Sequence, residues 1–281
     1  MTTSSNRRGA ALLLLILVVV ACGRGAPDGP PAGKARLSLL AVGDTGESSH
    51  GVWKGARQGL VAEALASEAG RRPIDALVLL GDNFYESGLR ADEIVTRLRQ
   101  NIVAPYCRFV ELAGPASAKV ASACQHPASD RHPVPIFAVL GNHDHYTPGS
   151  AKLQRETVPL FISNWHMPAS VAGAYELGQG VSLIRLGLVA GSGSRVQAIG
   201  QEDSGRRFGR KSLGFARVDL VEEGDAQRLV GSLYAVSGLP APEEQAPHLV
   251  ARWSVDREGR VRNEATALPV KAAQPTVPAQ R

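Results

Sequence analysis

Three short apolar runs, residues 37–42, 74–80 and 134–140, each stop at a glycine followed by a polar side chain: Gly43-Asp44, Gly81-Asp82 and Gly141-Asn142. Mostly apolar runs of this length, bounded by glycine, read as strands buried on both faces. Segments with helical spacing lie between them. Trp53, Ala56, Leu60 and Ala64 recur at helix period within residues 52–69, which end at Gly70. Ile94, Val95, Leu98 and Ile102 share one face within residues 91–103. The order β-α-β-α-β implies a parallel sheet with covering helices.

The second half reads differently. Residues 181–186, 214–220, 228–235 and 249–255 look like strands separated by glycine and charged turns. In the second of these, Ala216, Val218 and Leu220 would face one way and Arg217 and Asp219 the other, as in a half-buried antiparallel strand. This half is expected to supply the other sheet of a two-sheet sandwich. The fold class is therefore α/β, with two sheets face to face and helices outside. A chain of 281 residues with 44% hydrophobic content holds one large domain or two small ones, and no solenoid or propeller repeat stands out.

The start of the chain is not expected to join that fold. Asn6-Arg7-Arg8 precedes an apolar run over residues 10–21, too short for a stable bilayer span. Residues 1–21 have the layout of a secretory signal peptide. Val19-Val20-Ala21-Cys22-Gly23 resembles a bacterial lipobox, which implies lipidation of Cys22. The protein would then be exported and tied through its lipid to the membrane of the cell envelope, facing periplasm or exterior. The other reading is a plain signal peptide with an incidental cysteine. Residues 22–34 form a flexible tether, residues 35–265 the folded domain, and residues 266–281, rich in Ala, Pro and Gln, a disordered tail. Cys107 and Cys124 remain as an even pair, which in an exported protein suggests a disulfide; the alternative is two buried free thiols. Net charge is +5, and the dense basic cluster Arg206, Arg207, Arg210 and Lys211 reads as a solvated loop or a contact for an anionic partner. Few aromatics and no matching motif leave nucleic acid without support as a partner.

The loops after the three strands carry the chemistry. They read Gly43-Asp44-Thr45-Gly46, Gly81-Asp82-Asn83-Phe84-Tyr85 and Gly141-Asn142-His143-Asp144-His145. In a parallel sheet such loops gather at the carboxyl edge, where α/β proteins bind ligands. Carboxylates, an amide oxygen and imidazoles together suit two divalent or trivalent metal ions. Either aspartate alone reads better as a cap of the following helix, and it is the set that reads as a metal site.

An Asp-x-Gly, Gly-Asp-x-x-Tyr, Gly-Asn-His-Asp series in that order resembles the calcineurin-like metallophosphoesterases. Within them it is similar to the purple, or tartrate-resistant, acid phosphatase branch, over residues 37–175. The resemblance implies a hydrolase of small phosphate monoesters with a dinuclear metal centre (Fe with Fe, Zn or Mn) and a metal-bound hydroxide. Carried over residue by residue, it implies that Asp44 and Tyr85 bind the first metal, Asp82 bridges both and Asn142 binds the second. His143 would contact the phosphate and protonate the leaving oxygen, and Asp144 would orient His143. Tyr85 becomes a pocket wall if the metal is not ferric. His50 and His145 lie beside the motifs and read as loop histidines.

The pattern then breaks. The family supplies further His ligands from its second half, as a V-x-x-H-like or G-H motif and a G-H-x-H motif. Neither stands in this chain, whose later histidines are His166 and His248. The connection 178–180 is short for what should lie there. This predicts an incomplete sandwich lacking a ligand-bearing segment, through divergence or a faulty gene model. It also keeps an alternative function open: a catalytically impaired or non-catalytic binding lipoprotein on the same scaffold.

Overall fold

The computed structural model describes residues 29–47, 54–168, 212–236 and 247–266. The leader, Cys22, His50, the run 181–186, the connection 178–180, the basic cluster and all but the first residue of the expected tail lie outside the described residues.

β1 (Lys34–Val42), β2 (Ala76–Leu79), β3 (Ile136–Ala138) and β4 (Trp165–His166) run parallel. β5 (Leu213–Glu223), β6 (Ala226–Val236), β7 (His248–Asp256) and β8 (Val261–Thr266) form an antiparallel meander. The α/β class holds. The two-sheet expectation does not describe these strands, which hydrogen-bond into one sheet in the order β4-β3-β2-β1-β5-β6-β7-β8. The physical reason is an open edge. The parallel half grows away from β1 on one side only, so the other edge of β1 takes β5 from Lys34↔Glu222 to Ala41↔Ala216.

α1 (Lys54–Arg71) lies over this sheet. Gln58, Val61, Ala62, Leu65 and Glu68 are all buried, a stripe at helical spacing. α2 (Ile94–Leu98) continues into a π-helical turn, Arg99–Val103, where the sequence predicted one helix. α3 (Ser150–Lys152) likewise passes through a π turn, Leu153–Thr157, into α4 (Val158–Phe161). The segment between the π turn at Arg99–Val103 and β3 is joined by a disulfide, Cys107–Cys124, with Cα atoms 5.0 Å apart. Asn164, ahead of β4, ties this segment to the sheet: its Nδ2 donates to the Phe109 and Val134 carbonyls and its Oδ1 accepts from the Glu111 amide.

The alternation along β5 is real, but its buried side is the reverse of a simple apolar-inward pattern. Arg217 and Asp219 are buried, while Val218 and Leu220 are only half-buried. The charges are tolerated because they are paired. Arg217 Nε donates to Asp219 at 2.9 Å, and the Ser38 hydroxyl on β1 donates to the same carboxylate at 2.6 Å. Arg217 also donates to the Arg72 carbonyl at 2.9 Å and lies 3.4 Å from Glu68 on α1. A buried charge is stable only with such partners.

Candidate metal centre

The backbone at the strand ends sets the site. Asp44 and Asp82 adopt left-handed φ of 53° and 52°, the only non-glycine residues with positive φ among the described residues. That region costs about 1–3 kcal/mol for an L residue and persists where the surroundings impose it. Here two loops impose it on each other. The Asp44 amide donates to the Gly81 carbonyl at 3.2 Å, and the Gly46 amide to the Asp82 carbonyl at 2.8 Å. Gly46 is required by contact, since a Cβ there would fall 2.3 Å from the Phe84 nitrogen. Gly141 has the same constraint, because its Cβ would lie 2.2 Å from Asp82 Oδ1.

The interlock brings Asp44, Asp82 and Tyr85 together. The Tyr85 hydroxyl contacts Asp44 Oδ1 and lies 2.8 Å from Asp82 Oδ2. A phenol has one proton, so it donates to one carboxylate at a time. Two carboxylates and a phenol oxygen thus converge with a surplus of negative charge, an all-oxygen donor set of the kind that hard cations take. Burial raises the Tyr85 pKa well above its ordinary value, and the Asp44 carboxylate adds to that shift. A bound cation reverses this balance by stabilising the phenolate. The donor set fits a metal on these grounds. Among the described residues, no cluster of three or more His, Cys, Asp or Glu side chains gathers at one point.

The third loop docks on the other two. The His143 amide donates to Asp82 Oδ1 at 3.0 Å. The His143 ring stands edge-on to Tyr85, centroids 4.5 Å apart, and its Nδ1 meets the Glu86 carbonyl oxygen. A carbonyl only accepts, so Nδ1 carries the proton and Nε2 is the free working atom. In this structure the partner of the His143 ring is the Glu86 carbonyl, and the hydrogen bonds of Asp144 run elsewhere. Asp144 is fully buried and accepts from the amides of Gly141, Asn83 and Phe84 at 3.0–3.1 Å and from Gln154 Nε2 at 2.9 Å. It fastens two loops rather than one ring. Burial pushes its pKa up, and the donors oppose that shift.

Asn142 is exposed, and its Nδ2 donates to the Tyr146 hydroxyl at 2.9 Å. That bond leaves Oδ1, the atom an amide uses toward a metal, without a competing role in the same pair. His145 is exposed on the same turn, and His166 lies exposed on β4 against Phe137. His248 opens β7, at the far side of β5 and β6 from the three loops. Sequence reasoning missed Gln154, Glu86, Arg97 and Asn101. Glu86 acts through its carbonyl, which any residue supplies, and the others stand in no motif.

The family profile described as calcineurin-like phosphoesterase matches residues 37–247. No curated protein matches the chain significantly. Among solved structures, the chain is similar to GAP50, described as the anchor in the inner membrane complex of Plasmodium, at 14% identity and a TM-score of 0.42, over 77% of this chain and 89% of that one.

Proposed function

From a chain that belongs to the calcineurin-like phosphoesterase family, a family of metal-dependent phosphoesterases, we propose a phosphate-monoester hydrolase of the acid phosphatase type with a two-metal centre. The observation that carries this reading is the convergence of Asp44 and Asp82, both on left-handed backbone, onto the Tyr85 hydroxyl. Asp44, Asp82 and Tyr85 would hold one ion, with Asp82 shared and Asn142 Oδ1 offered to a second. Divalent or trivalent ions at these oxygens withdraw charge from a phosphoryl group and acidify water. His143 presents Nε2 to the phosphate, its ring fixed by the Glu86 carbonyl and by Tyr85. In its protonated form that nitrogen donates to the leaving oxygen as the P–O bond breaks. No side chain needs to form a covalent intermediate.

The place of action belongs to the same proposal. Lipidation at Cys22 would tether the domain to the bacterial envelope. Cys22→Ser should move the protein from the membrane to the soluble fraction; retention in the membrane would sink the anchor. Among the described residues no helix is long and apolar enough to cross a bilayer.

Elemental analysis of the purified protein tests the centre, together with hydrolysis of para-nitrophenyl phosphate. About two metal ions per chain, lost along with hydrolysis in Asp82→Asn and Asn142→Ala, supports the proposal. Less than roughly a tenth of an equivalent after loading with iron, zinc or manganese favours the other reading, a non-catalytic binding lipoprotein on this scaffold.

A further inference from the structure

A buried arginine stands where the metal centre meets α2. Arg97 is 6% exposed, and burial lowers its pKa, a shift that the Glu93 carboxylate opposes. Buried guanidinium groups usually pair with carboxylates. The hydrogen bond of Arg97 instead runs from Nη2 to the main-chain carbonyl of Tyr85, and its Nε has no partner. One turn later, Asn101 is fully buried and donates from Nδ2 to the Gly46 carbonyl at 2.8 Å. That carbonyl also accepts from the Tyr85 amide at 2.8 Å. Gln58 on α1 in turn donates to the Asn101 carbonyl at 2.7 Å.

We infer that Arg97 and Asn101 are positioning residues for Tyr85. Spaced i and i+4, they lie on one side of the helical segment. One holds the carbonyl of Tyr85 and the other holds the acceptor of its amide, so the Tyr85 backbone is clamped on both sides. The phenol is thereby held between Asp44 and Asp82. A covering helix would need only apolar contacts for its packing. A desolvated cation aimed at a backbone oxygen is unfavourable for packing alone, and its use here is to fix the peptide that carries the candidate ligand. This inference rests on the proposed metal centre for its purpose, though not for its geometry.

The test uses the full chain in detergent, labelled with 3-fluorotyrosine. Fluorine NMR of the metal-free protein reads the Tyr85 ring, its line assigned by Tyr85→Phe, and calorimetric titration with manganese reads metal affinity. Arg97→Leu and Asn101→Asp should broaden or split the Tyr85 line and weaken manganese binding roughly 10–100-fold. Arg97→Lys, which keeps charge and a donor, should restore a large part of both. Leu98→Ala, a buried neighbour on the same segment, is the control for general destabilisation; it should lower the melting temperature and leave the line and the affinity alone. An unchanged Tyr85 line in Arg97→Leu and Asn101→Asp overturns the inference, as does a Leu98→Ala line that changes as much as theirs. If the variants move the line but the wild type takes no manganese, the clamp stands and the metal proposal fails.

Discussion

Asp144 shows how much one side chain can organise. Its two oxygens accept from three main-chain amides of the second and third loops and from Gln154. Gln154 is itself anchored, since the Trp165 indole on β4 donates to its carbonyl at 3.1 Å. Replacing Asp144 with Asn keeps the shape but puts an NH2 group against N–H donors. Each buried donor left unmatched costs about 1–3 kcal/mol. Each Asp144 oxygen accepts two of these bonds, so Asp144→Asn should lower the unfolding free energy by about 2–6 kcal/mol in urea titration. His143→Ala, on a ring that is only half-buried, should leave stability within about 0.5 kcal/mol of wild type. Equal losses in the two would return Asp144 to the role of a His143 partner.

Among the elements, β5 carries the sharpest consequence. Asp219 binds both Arg217 and Ser38, so removing its carboxylate leaves a guanidinium buried with one acid, Glu68, at 3.4 Å. Breaking a buried pair in this way costs about 3–5 kcal/mol. Asp219→Ala should show that loss in chemical denaturation, and the double replacement Asp219→Leu with Arg217→Met should recover part of it. A loss under about 1 kcal/mol in the single variant would mean that the network is solvated. The disulfide makes a second case. A bridge of sequence separation 17 restricts the unfolded chain by about 3 kcal/mol, so Cys107→Ala with Cys124→Ala should lower stability by that order. Reductant should lower the wild type as well and leave the double variant unmoved.

These elements also mark where the sequence was legible. The three site strands and α1 followed from apolar runs and helical spacing, because local pattern and burial agree there. The π-helical turn at Arg99–Val103 leaves no mark in that spacing. On β5 the period was readable and the buried side was not: Arg217 and Asp219 pair with each other, but the Glu68 carboxylate and the Ser38 hydroxyl that complete the pair come from α1 and β1, far along the chain. The motif glycines mark the loops, and the close approaches at Gly46 and Gly141 become visible only in three dimensions. The Arg97 and Asn101 contacts have the same origin: they depend on where α2 lands, which no local signal states.

At the scale of the whole molecule, the site sits at the carboxyl ends of β1, β2 and β3, and its hydrogen bonds join three loops that are far apart in sequence. Unfolding β1 or β2 separates Asp44 from Asp82 and Tyr85. A cation held by the three therefore binds the folded chain and not the unfolded one, and its binding energy adds to global stability. At a free metal concentration of 100 times Kd the gain is about 2.7 kcal/mol. For a domain of this size that corresponds to roughly 5–10 °C in Tm. A thermal melt of the chelator-treated protein, repeated with manganese or iron, should show that rise. Tyr85→Phe, which keeps the ring and removes the donor oxygen, should reduce it by more than half if the phenol is a ligand. A full shift in Tyr85→Phe would make Tyr85 a wall of the site and leave the aspartates, with Asn142, as its metal-holding residues.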